Sequence, residues 1–145
     1  MATRTGRQGA DDVRDGYVDA EKAYSWVGFA AILLALAGFW NIFEGIAALY
    51  QSKVYTTSAT YVFSDLRTWG WIVLALGILL LLAAGSLVKG GQLARWFAIC
   101  VAGLNAIGQL MFIQSNPFWA LAMFAVDLLV IYALAVYGGV ARSSD

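Results

Sequence analysis

Four stretches of this chain are mostly apolar, almost free of charge and about 20 residues long, the length a helix needs to cross the hydrocarbon core of a bilayer. They run from Trp26 to Leu49, from Trp69 to Val88, from Arg95 to Ile113 and from Phe118 to Tyr137. Composition points the same way. Hydrophobic residues make up 61% of the chain and charged residues 12%, against roughly 45–50% and about 25% in soluble domains. A soluble domain of 145 residues has too little interior to hide that much apolar surface. The connections between the stretches are short, which makes successive helices antiparallel. The sequence therefore predicts an all-α membrane protein with four transmembrane helices in an up-down bundle. The bundle is expected over residues 24–141, behind a cytoplasmic tail of residues 1–23.

Lysine and arginine placement gives the expected orientation, since cytoplasmic loops carry the excess of both. With four spans, both termini and the second loop share one side. That side holds Arg4, Arg7, Arg14, Lys22, Lys89, Arg95 and Arg142, while the other holds Lys53 and Arg67. Both termini are expected in the cytoplasm, with the plasma membrane as the location. Trp26 and Trp96 then fall at the inner interface and Trp69, Trp71 and Trp119 at the outer one, where amphipathic rings prefer to sit.

Asp11, Asp12, Asp15, Asp19 and Glu21 make the tail unlike a signal peptide. Residues 1–10 read as disordered by composition. Val13, Tyr17, Ala20 and Tyr24 recur at helical spacing, so the rest of the tail reads either as a short helix on the membrane surface or as a solvated leader. In the outer loop, from Gln51 to Thr68, the segments Lys53–Thr57 and Thr60–Phe63 are rich in β-branched and aromatic residues. They predict a β-hairpin-like loop over the outer mouth, with Asp65 or Thr68 capping the second span.

Five strongly polar side chains lie inside the spans: Asn41, Glu44, Asn105, Gln109 and Asp127. A charged group at mid-membrane costs about 2.5–3.5 kcal/mol on insertion scales, so such residues turn inward and find partners. At about 1.5 Å per residue, Asn41 and Asn105 lie about 12 Å from the outer ends of their spans and Asp127 about 14 Å. Asn41 with Glu44, and Asn105 with Gln109, are spaced three and four apart, which places each pair on one face of its helix. Gly38, Gly45 and Ala48 accompany the first pair and permit close helix approach. Two readings follow. In one, the five form a polar pocket that takes a cation, a proton or a small polar ligand. In the other, they are a hydrogen-bond network that fixes helix packing. Ala37–Ile42 is also faintly echoed by Ala102–Ile107, although Ala-Gly pairs are common in membrane helices.

Catalytic chemistry finds little to work with. The chain has no histidine and a single cysteine, Cys100, which excludes an internal disulfide, zinc clusters and histidine-based acid–base catalysis. No metal or other cofactor is expected. Nine basic and nine acidic residues cancel, so no net field draws nucleic acid.

Several segments together carry a family resemblance: Trp26–Ala30, Asn41–Gly45, Val54-Tyr55, Thr68–Trp71, Leu104–Ala106 with Gln109-Leu110, Pro117 with Trp119, and Asp127–Leu134. Over about residues 24–138, the chain resembles a family of small four-span integral membrane proteins, common in actinomycetes, whose domain has no known function. The resemblance implies the architecture and carries no activity with it. The expected partners are the lipid bilayer and either a membrane protein or further copies of the chain. The functional expectation is a non-enzymatic structural or accessory bundle. The alternative is a small transporter or sensor using Glu44 and Asp127, an analogy of architecture with small multidrug transporters.

Overall fold

The computed structural model describes residues 2–54, 66–114 and 117–140. These form four helices: α1 (Ala2–Val54), α2 (Leu66–Lys89), α3 (Gln92–Phe112) and α4 (Pro117–Tyr137). Each contains a segment long and apolar enough to cross a membrane. α1 packs on α2 and α4, and α3 packs on α2 and α4. The helices thus stand at the corners of a square, with α1 diagonal to α3.

Local chemistry explains where the helices turn. Gly90 and Gly91 join α2 to α3 with φ of 75° and 124°, a region that side chains with a Cβ rarely adopt. The Gly90 amide donates to the Leu87 carbonyl at 3.1 Å and closes α2. Pro117 opens α4, where its missing N–H costs nothing.

The interior is built from small residues. Ala30, Ala37, Ala83, Ala98, Ala102 and Ala133 are buried around Leu34, Leu80 and Leu134. Large apolar side chains such as Phe29, Leu36, Phe39, Phe43, Leu82 and Ile107 point outward. That distribution suits a lipid surround, where helices associate by close approach rather than by hiding bulk from water. The closest approach is between α1 and α2. A Cβ on Gly45 would lie 2.7 Å from the Leu74 amide nitrogen, and one on Gly77 would lie 2.7 Å from that of Ile42. Gly38 and Gly70 repeat the pattern one heptad away on the two helices.

Three expectations change. Residues 2–10, expected to be disordered, begin α1, which is one uninterrupted helix of 53 residues from Ala2, about 80 Å long. The part of α1 before Ala20 overhangs the bundle by about 27 Å, and residues 6–19 are exposed on every side. No proline interrupts them, and Arg7 with Asp11, and Asp19 with Lys22, have the spacing of helix-stabilising pairs. The outer loop is shorter than expected, because Lys53 and Val54 continue α1 instead of starting a strand. Among the described residues there is no strand to support a hairpin; residues 55–65, on which most of it was expected, lie outside them. Thr68 falls inside α2 and so does not cap it, while Asp65 lies outside the described residues.

Candidate functional site

Asn41, Asn105 and Asp127 meet at the centre of the square. The Asn41 Nδ2 donates to the Asn105 Oδ1 across the diagonal from α1 to α3. The Asn105 Nδ2 donates in turn to the Asp127 Oδ2 of α4 at 2.8 Å. The three side chains are 1%, 2% and 1% exposed. Small neighbours make this possible, because Ala37, Ala102 and Ala106 keep the helices near enough for short amide side chains to span the core.

The acid gives the chain its direction. A carboxylate oxygen accepts hydrogen bonds, so Asn105 turns its NH2 group to Asp127. Its carbonyl oxygen is then left for Asn41, which must offer its own NH2 group. Two acceptors remain over. The Asn41 Oδ1 and the Asp127 Oδ1 are buried and meet no donor among the described residues. In a low-dielectric interior such atoms are costly and call for an explanation.

The other two candidates do not join. Glu44 is half-buried and makes no hydrogen bond among the described residues. Gln109 is buried but likewise unbonded within them. Both lie nearer the C-terminal ends of their helices than the asparagines do, away from the diagonal. The buried stripe of α4 is Ala120, Asp127, Val130, Ala133 and Leu134, with Phe124 and Ile131 half-buried. Cys100 is exposed on the surface of α3. Trp40 packs against Trp119 of α4 with ring centroids 4.6 Å apart, which ties α1 to the first turn of α4.

At the other end of the bundle, sequence reasoning missed a structural role for Arg95. Its Nη2 donates to the Ala135 carbonyl at 3.0 Å, satisfying one of the orphan carbonyls that end α4. Gly138 and Gly139 leave room for the guanidinium: a Cβ on Gly138 would come within 2.8 Å of the Arg95 Cδ. The Gly-Gly pair directly after the last span was the available signal. Nearby, Trp26 stacks on Tyr137 with ring centroids 5.3 Å apart and planes 4° from parallel.

A square of four helices with a small-residue core, an apolar exterior and a buried polar brace defines a four-helix bundle suited to a membrane. The chain belongs to the family described as Domain of unknown function (DUF7144), whose model matches residues 26–139. The match begins at Trp26 and so leaves out the overhang of α1. No curated protein and no solved structure matches the chain.

Proposed function

We propose that this protein is a non-enzymatic accessory bundle of the plasma membrane. Both termini lie in the cytoplasm, and the internal Asn41–Asn105–Asp127 chain holds the helices in register. The observation that carries the reading is that chain itself: three buried polar side chains from three helices, bonded to one another across the diagonal. Such a device fixes which faces meet, in a setting where apolar packing alone specifies them weakly. The imbalance of seven cationic side chains against two supports the orientation. The overhang of α1 supports an accessory role, because an exposed helix with charges on most sides gains stability by packing on something else. The test is purification from native membranes with lipids retained. A stoichiometric protein partner or a defined homo-oligomer is expected. Ligand-dependent ion flux in proteoliposomes, abolished by Asp127→Asn, would overturn the reading.

The two donor-less oxygens favour a second reading of the same cluster, in which one proton or small hard cation completes it between Asn41 and Asp127. A melting temperature that rises with sodium over choline at constant ionic strength, and no longer does so in Asp127→Asn, would support a cation there. Equal melting in both salts, at both ends of a pH series, removes it.

A further inference from the structure

A cavity of about 560 Å³ opens among the four helices at the end where α2 turns into α3, far from the polar chain. That is within the range of sites that take small molecules. Its deeper wall is apolar, formed by Val27, Ala31, Leu87 and Leu134. Its rim carries two cationic side chains, Lys89 and Arg95, and no acidic residue lines it. Lys89 is exposed and has no ion-pair partner among the described residues. Between the two cations lies the Gly90-Gly91 turn, whose backbone is open to close approach because neither residue has a Cβ.

Level is the second argument. Lys89 is the last residue of α2 and Arg95 stands in the first turn of α3, so the rim lies where the apolar segments end. The Trp26–Tyr137 stack lies at that level as well, as expected for side chains at the boundary of hydrocarbon and headgroups. α1 runs past the same opening and gives it a side wall through Tyr24, Val27 and Gly28. A ligand that matches must therefore carry an anion at the headgroup level and apolar substance just below it.

We propose that this cavity binds the phosphate group of an anionic phospholipid, with Lys89 and Arg95 on the phosphate and the glycerol and upper acyl chains against Val27, Leu87 and Leu134. The guanidinium keeps its bond to the Ala135 carbonyl and offers its remaining edge. The proposal does not depend on the accessory role proposed above, and it holds for either orientation of the chain.

The test uses the full chain in nanodiscs or detergent, with short-chain phosphatidylglycerol, phosphatidylcholine and glycerol 3-phosphate as probes, and thermal stability and native mass spectrometry as readouts. Saturable binding of phosphatidylglycerol is expected, with little response to phosphatidylcholine. One headgroup-level cation changes affinity about fivefold, so Lys89→Gln should weaken binding by about that factor. Arg95→Gln should weaken it similarly, and Arg95→Lys should restore it in part. Arg67→Gln, at the far end of the bundle, should leave it unchanged. Because Arg95 also closes α4, the Lys89 variant decides if the Arg95 variants do not fold. Equal binding of both lipids, or unchanged affinity in Lys89→Gln, would overturn the proposal. So would glycerol 3-phosphate binding as tightly as the lipid, which would make the ligand a soluble phosphate.

Discussion

Asp127 stands at the end of a directional chain, and its substitutions separate geometry from charge. In Asp127→Leu the Asn105 NH2 group loses its acceptor inside a dry core, which should cost about 1–3 kcal/mol and lower the melting temperature in detergent. In Asp127→Asn the side chain keeps its size, retains an acceptor and adds a donor at a place where two acceptors lack one. That variant should melt at or above the temperature of the parent protein. A drop as large as that of Asp127→Leu would show that the acid itself is required. At the same scale, half-buried Glu44 is free of the network, so Glu44→Gln should leave the melting temperature unchanged within the effect of an ordinary surface substitution, about 0.5 kcal/mol.

Among the helices, the α1–α2 seam is the least tolerant of added volume. The backbones meet at Gly45 and Gly77, where a methyl group would strike backbone atoms rather than flexible side chains. Gly77→Ala should therefore lower stability by about 1–3 kcal/mol, despite alanine's higher helix propensity. Gly85→Ala, with open space at its Cβ, should be neutral or slightly stabilising; thermal melts of the two variants side by side decide. The overhang of α1 behaves oppositely. Residues 6–19 are exposed, so deleting residues 1–19 should reduce helical ellipticity while leaving the melting temperature of the bundle nearly unchanged. A large fall would mean that the overhang packs on the bundle or on another copy.

For the whole molecule, the positive-inside imbalance gives a definite expectation of orientation. In a Cys100→Ala background, Thr57→Cys should react with an impermeant maleimide on intact cells. Reaction only after permeabilisation would reverse the topology. Cys100 itself, outward-facing on α3, should resist water-soluble maleimide while the protein sits in its membrane.

The four helices were legible because hydrocarbon imposes a length and a composition that each span must meet alone, and that constraint is local in sequence. Depth was legible too, since a fixed rise per residue placed Asn41, Asn105 and Asp127 at one level before any packing was known. The helical reach of α1 into both flanks was not, because β-branched residues around Val54 and glycines near the N-terminus argue locally against a helix that propagates from its apolar segment. Which polar residues bond was decided by the tertiary structure. Glu44 and Gln109 share faces with the asparagines, but a helix face is wide, and only the rotation fixed by the close Gly38–Gly77 approach of α1 and α2 selects Asn41 for the diagonal. The cavity beside Lys89 and Arg95 belongs to the same class. Its walls come from all four helices, and a space between helices leaves no trace in the sequence of any one of them.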